Sequence, residues 1–287
     1  MSRGLLKRAR VVAAAMQKGG VGKTTTILNL ARAAALRGLK VLVIDFDPQG
    51  NTTTSLAAEP LVPKQLTIAD AILPDEDEPE ALADVVIKTI WSRVKVPDSE
   101  PERFGSVDLA PATLKPLAKA EKLINASSYG RESRLKQALQ PVLGRYDLVL
   151  IDNAPALGIL LMNALVAADD VFAVSEADEW SADGLAMLAD TVKTAKEHYN
   201  PGLSWSGVLI SRWRNTGPEK YWLQVIVDNF KAGPVWDKDK IPLWSSIKAT
   251  LSAGKGMDES KEARLRVLAR SYRRFVARWV HDEELTV

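Results

Sequence analysis

Hydrophobic and polar positions fall into blocks along this chain. Residues 9–16 are apolar apart from Arg10, and residues 40–45 read Lys-Val-Leu-Val-Ile-Asp. Residues 145–152 read Arg-Tyr-Asp-Leu-Val-Leu-Ile-Asp, and further apolar runs occupy 105–110, 170–175 and 206–211. Unbroken short runs, rather than alternating ones, are the mark of strands buried on both faces. Between them lie stretches of helical character: 24–37, which stops at Gly38, then 66–73, 114–125, 131–143, 181–198 and 220–230. Gly38 suits a left-handed helix end, and Asp178 or Ser181 suits the cap of the helix over 181–198. Residues 234–236 read as a short strand, 81–91 fits helix or strand, and 97–104 reads as a loop. The acidic run over 75–80 reads as a solvated surface loop. Strands alternating with helices predict an α/β fold, a doubly wound and mostly parallel sheet with helices on both faces. No internal repeat or long linker interrupts it, so one domain over 1–287 is expected.

The last pattern is a long amphipathic helix expected over about 259–280. At about 100° per residue, Leu265, Leu268, Tyr272, Phe275, Val276 and Trp279 share one arc of roughly 100°. Arg266, Arg270, Arg273, Arg274 and Arg278 fall on the opposite side. Such a helix docks its apolar stripe and presents arginines outward. That face is either basic decoration or a contact surface for a phosphate backbone, which needs no base readout.

Candidate chemistry concentrates where the first apolar run ends, at Gln17-Lys18-Gly19-Gly20-Val21-Gly22-Lys23-Thr24-Thr25. Strand, glycine turn and helix form the setting of a phosphate-binding loop. Glycines let successive amides converge on one anion, and the helix start adds free N–H groups and a positive dipole end. Lys23 suits the β- and γ-phosphates, and the Thr24 hydroxyl suits Mg²⁺. The loop departs from the usual pattern at Gln17, where glycine is ordinary, and it adds Lys18. A second signal is Asp45-Phe46-Asp47-Pro48-Gln49-Gly50-Asn51, with carboxylates at the carboxyl end of a strand, where parallel sheets bind ligands. The third is Asp152, closing its own apolar run in the manner of a Walker B strand and suited to the hydration shell of Mg²⁺.

Lys18-Gly19-Gly20-Val21-Gly22-Lys23-Thr24-Thr25 resembles the deviant Walker A loop of the ParA/MinD ATPases. The resemblance implies ATP and Mg²⁺ as ligands, held by Gly19, Gly20, Val21, Gly22, Lys23, Thr24 and Thr25. It also implies a homodimer when ATP is bound, with Lys18 reaching the partner's nucleotide. Residues 45–51 resemble the family's first switch, which implies that Asp47 positions the attacking water and that Asp45 lies near Mg²⁺ through water. Residues 153–158 resemble the second switch, departing from it at Asn153 and Ala154. Ile241-Pro242 resembles the family's loop beside the adenine ring. The guanine-reading Asn-Lys-x-Asp is absent, which favours ATP over GTP.

The resemblance further implies slow ATP hydrolysis, nonspecific DNA binding in the ATP state and stimulation by a ParB-like adaptor. A cytoplasmic, nucleoid-associated partition ATPase for plasmid or chromosome is the leading expectation. Positioning of a protein cargo, such as a carboxysome or chemotaxis cluster, uses the same engine. For DNA, Leu243 and Ser246 stand where the family often has arginines. Arg212, Arg214, Lys240, Lys248 and Lys255 are substitutes, along with Arg266, Arg270, Arg273 and Arg274 of the late helix.

Composition narrows the alternatives. Hydrophobic content of 46% and charged content of 26% are ordinary for a globular protein. The net charge of +2 gives no overall basic excess, so any basic surface is a local patch. The chain has no cysteine, which suits a reducing compartment and removes a nitrogenase-reductase-like cluster. No run approaches the roughly 18 apolar residues of a membrane span. The start, with Arg3, Lys7, Arg8 and Arg10, leads into a core strand rather than a signal peptide and leaves no room for a helix-turn-helix domain. A MinD-like membrane anchor is disfavoured by the acidic residues in 281–287, so no stable membrane insertion is expected. A tyrosine-rich tail of kinase type is lacking, and a small-molecule ligase with the same loop is a minor alternative.

Overall fold

The computed structural model describes residues 8–74 and 77–280. Its strands are β1 (Arg10–Ala15), β2 (Lys40–Phe46), β3 (Ile87–Lys88), β4 (Val94–Lys95), β5 (Phe104–Ala110), β6 (Leu148–Asn153), β7 (Asp170–Ser175) and β8 (Ser204–Ile210). They form one sheet in the order β3-β5-β2-β6-β1-β7-β8, with β4 also paired to β5. The pairs from β5 through β8 are all parallel, and β3 and β4 run antiparallel to β5. The apolar runs explain this arrangement. Val11–Ala15, Val41–Ile44 and Leu148–Ile151 are fully buried, as central strands covered on both faces must be.

The α-helices of the described residues fall mostly, though not all, at expected places. They are α1 (Lys23–Ala35), α2 (Asn51–Leu56), α3 (Ile68–Ala71), α4 (Leu82–Val85), α5 (Leu114–Ala126), α6 (Arg134–Leu139), α7 (Ile159–Ala167), α8 (Glu179–His198), α9 (Gly217–Asn229), α10 (Ser245–Ser252) and α11 (Ala263–Val276). The crossovers β1-α1-β2 and β6-α7-β7 run in opposite directions across the sheet. Right-handed connections therefore put α1 and α7 on opposite faces. Helix α1 packs against α11, whereas α7 packs against α5, α6 and α8. The stripe counted on α11 is the docked one: Leu265, Tyr272, Phe275 and Val276 are fully buried. Phe275 stacks on Trp236 at 5.1 Å, and Phe172 meets Trp279 at 5.3 Å.

Several elements differ from expectation, each for a local reason. The helix expected over 131–143 ends at Leu139 and continues as a 3-10 turn over Gln140–Arg145, because Pro141 has no N–H for the α pattern. The helix expected from 259 begins instead at Ala263, after a 3-10 turn over Met257–Glu259. There the Glu259 carboxylate accepts from the Gly256 amide at 2.7 Å, and Arg266 donates to the Ser260 and Lys261 carbonyls. Residues 81–91 divide into α4 and β3. Residues 234–236 contribute a single bridge, Val208 to Val235, and no strand. Helix α7 gave no amphipathic signal because its sequence, Ile-Leu-Leu-Met-Asn-Ala-Leu-Val-Ala, is apolar nearly all round and mostly buried. Part of the acidic run over 75–80, and residues 281–287, lie outside the described residues.

Gly105 sets how closely β5 approaches α1. A Cβ placed there would lie 2.1 Å from the Ala35 carbonyl oxygen. Gly105→Ala is expected to destabilise the fold by about 1–3 kcal/mol through overpacking, read as a lower midpoint in urea unfolding at unchanged slope.

Candidate functional site

The carboxyl ends of β1, β2, β6 and β8 converge on one cleft of about 690 Å³, walled by residues 20–26, Asp47, Pro155, Arg212 and residues 241–245. The phosphate loop leaves β1 and turns at Gly20 and Gly22, whose φ values of +75° and +93° require glycine. Gly22 stands at the cap of α1, and the Thr26 amide donates to its carbonyl at 2.9 Å. Lys23 folds inward and donates to the Met16 carbonyl at 3.3 Å, spanning the loop. Burial lowers its pKa, opposed by the charges of Asp152 and Asp47.

Asp152 is fully buried beneath the loop, and burial pushes its pKa up. Its Oδ2 accepts from Thr24 Oγ1 at 2.7 Å and from Thr52 Oγ1 at 2.6 Å. Its Oδ1 is buried with no hydrogen-bond partner. An orphaned carboxylate oxygen beside a threonine hydroxyl is costly unless something cationic meets it. The neighbouring Asp45 stands opposite Asp152 in the β2–β6 register. Burial, and next the charge of Asp152, raise its pKa to about 7, against hydrogen bonds from Thr53 and Asp47. Its Oδ2 accepts from Thr53 N and Oγ1, both at 2.7 Å, and its Oδ1 from the Asp47 amide at 3.3 Å. Asp45 is thus engaged with the start of α2 rather than standing on the cleft wall. Asp47 is on that wall, half-buried, with its Oδ1 accepting from the Gln49 amide at 2.9 Å.

Lys18 is not directed into the cleft. Its Nζ pairs with Asp178 at 2.5 Å and lies 3.6 Å from Glu176. Burial alone would raise the Asp178 pKa, but hydrogen bonds from Lys18 and from Ser181 at the α8 cap hold it below its ordinary value. Ile241 and Pro242 do line the cleft, and the Ile241 amide donates to the Ile210 carbonyl at 2.8 Å. Asn153 is turned back to β1, donating to the Ala14 carbonyl at 2.8 Å. The sequence reading missed Thr52, Thr53, Ser211, Trp244 and Tyr272. Ser211 was findable, since it follows an apolar strand at its carboxyl end, by the same rule that picks out Asp45 and Asp152.

Against known families, residues 9–205 match the model of the AAA domain. The chain is 37% identical over 203 residues to the sporulation initiation inhibitor protein Soj of Bacillus subtilis, covering 70% of this chain and 72% of Soj. The chain belongs to the Soj/ParA family. Its match to two Mycobacterium tuberculosis proteins, at 40% identity, spans only 58% of their length. Among solved structures, the cobyrinic acid a,c-diamide synthase of Mycobacterium smegmatis with bound ATP analog and magnesium superposes with TM-score 0.72 at 28% identity, covering 93% of each chain. A Cyanothece McdA variant in complex with ATP superposes with TM-score 0.77 at 21% identity over 98% of this chain and 100% of that one, a likeness of fold.

On this Soj/ParA fold the basic residues named for DNA have different surroundings. Arg212 turns to Glu176 and the Gly20 carbonyl, and Lys248 lines the cleft. Lys240 donates to the Asp237 carbonyl, and Arg214 lies 3.8 Å from Glu219. Arg273 is half-buried, and Arg274 pairs with Asp239 at 2.5 Å. Lys255, Arg266 and Arg270 are exposed. Among the described residues no helix is long and apolar enough to cross a membrane.

Two substitutions separate charge burial from hydrogen bonding here. Asp152→Asn removes a buried charge, so the ligand-free protein is expected to melt at an unchanged or higher temperature. Thr52→Ala strips a hydrogen bond from that charge and is expected to cost about 1–3 kcal/mol in denaturant unfolding. A large loss of stability in Asp152→Asn would contradict the electrostatics described.

Proposed function

We propose that the chain is a ParA-type ATPase, a single ATPase domain over 1–287 that acts as an ATP-dependent dimerisation switch in plasmid or chromosome partitioning. One observation carries the reading. Lys23, Thr24 and Asp47 line one cleft, and the buried Asp152 is joined to Thr24 by a hydrogen bond while its other carboxylate oxygen is left unpartnered. Kinship with Soj supplies the biological setting.

Thr24 and Asp152 fit Mg²⁺, a hard cation that accepts few protein oxygens and keeps water and phosphate oxygens around it. When bound, Mg²⁺ would neutralise charge on the β- and γ-phosphate oxygens. The loop amides of residues 19–25 would hold those phosphates, with Lys23 adding a cation from within. Ile241 and Pro242 would flank the base. Asp47, on the cleft wall, would orient the attacking water. Asp45 supports the arrangement through Thr53. This machinery positions reactants without a strong base, which suits slow hydrolysis and a switch. Lys18 is held by Asp178 and Glu176 of its own chain, so reaching a partner's nucleotide requires exchanging that ion pair for phosphate oxygens.

In the ATP state the dimer would bind DNA nonspecifically through Lys255, Arg266, Arg270 and neighbours, under the control of a ParB-like adaptor, at the nucleoid in the cytoplasm. The likeness to the cobyrinic acid a,c-diamide synthase raises a ligase reading. ATP turnover stimulated by DNA plus adaptor, with no metabolite present, separates the two.

The switch is tested by retention of Asp47→Ala on nonspecific DNA. Retention with ATP and release with ADP is expected; equal binding with both nucleotides, or none, would sink it. Lys18→Ala is expected to abolish ATP-driven dimerisation in light scattering while leaving nucleotide bound. An undiminished dimer would contradict the role given to that lysine.

A further inference from the structure

We infer that Arg212 is a positioning residue of the nucleotide site, one that fixes the orientation of the phosphate loop from outside. The inference rests on the ATP reading for the identity of the ligand alone. Strand β8 ends at Ile210, and the next two residues both grip the loop. Ser211 Oγ donates to the Val21 carbonyl, and Arg212 Nη1 donates to the Gly20 carbonyl at 3.0 Å. Two consecutive loop carbonyls are therefore held by two consecutive residues of one strand end. In a trans, planar peptide the C=O and the following N–H point in opposite directions. Pinning the Gly20 and Val21 carbonyls toward β8 turns the Val21 and Gly22 amides away from it. A loop whose amides are fixed before the anion arrives spends less of its binding energy on ordering.

The arginine has an unusual backbone conformation and is itself held by an ion pair. Its backbone has φ of +54°, a conformation that a side chain with a Cβ adopts only where its surroundings impose it. Glu176, just beyond β7, pairs with its Nε at 2.9 Å. Glu176 also lies 3.6 Å from Lys18 Nζ, so one carboxylate serves both Arg212 and Lys18. Arg212 forms part of the cleft wall and adds positive charge there. This is a different task from the DNA contact that its basic character suggests in the sequence.

Glycine accepts φ of +54° without strain, so Arg212→Gly removes the guanidinium while relaxing the backbone. The test is calorimetric titration of MgATP, and separately of inorganic tripolyphosphate, into the full chain as wild type, Arg212→Gly and Arg212→Lys, with ligand-free melting alongside. Both dissociation constants are expected to rise about tenfold in Arg212→Gly, as fits loss of one charge-assisted hydrogen bond. Their ratio should hold, because the loop is common to both ligands and the base to only one. Arg212→Lys should fall between, and ligand-free melting should not drop in either. Tripolyphosphate affinity within about twofold of wild type in Arg212→Gly would overturn the inference. So would a collapse of ligand-free melting in both variants, which would mean a merely structural role. Wild type binding neither ligand would overturn the nucleotide reading itself, and this inference with it.

Discussion

Two aspartates buried side by side govern the rest of this structure. Asp45 and Asp152 occupy neighbouring register positions at the carboxyl ends of β2 and β6, and both are almost wholly removed from solvent. Like charges this close, in so little water, cannot be left to themselves. The fold answers with hydroxyls: Thr24 and Thr52 on Asp152, Thr53 on Asp45. Each hydroxyl comes from a helix start, so satisfying the charges also fixes α1 and α2. Thr53 Oγ1 in turn accepts from the Ala112 amide at 2.8 Å and draws in the segment after β5. What is left over, one oxygen of Asp152, is the group that a cation would meet.

The phosphate loop lies over this pair and is held from its far side. Residues 211 and 212 hold its carbonyls, and Lys23 ties its ends together through Met16. Lys18, Glu176, Asp178 and Arg212 form a charged cluster beside it, in which two acidic side chains serve two cations. The local cost of burying so much charge is met by pairing, which places stability and chemistry in the same few residues.

Much of the fold was legible because the signals were local. Unbroken apolar runs at 40–45 and 145–152 became β2 and β6 with small changes of boundary, and the stripe from Leu265 to Trp279 is the buried face of α11 and the turn after it. Helices α2, α7 and α10 were not foreseen. Asn-Thr-Thr-Thr-Ser-Leu has poor helix propensity, and α2 forms where its threonines meet Asp45 and Asp152. Helix α7 is apolar nearly all round, so no periodicity marks it.

The glycine spacing, the flanking strand and helix, and the acidic strand ends determined by themselves that this chain carries a phosphate loop on a parallel sheet. They did so because backbone conformation and burial on both faces are written in residue type. The destination of each long polar side chain was decided only by the tertiary structure. Arg212 turned to the loop, Lys18 to Asp178, Lys248 to the cleft, and Asp45 to α2. A charged side chain takes the partner that folding brings within a few ångströms. Those partners lie 160 residues away for Lys18 and 192 for Arg212, beyond what any local pattern encodes.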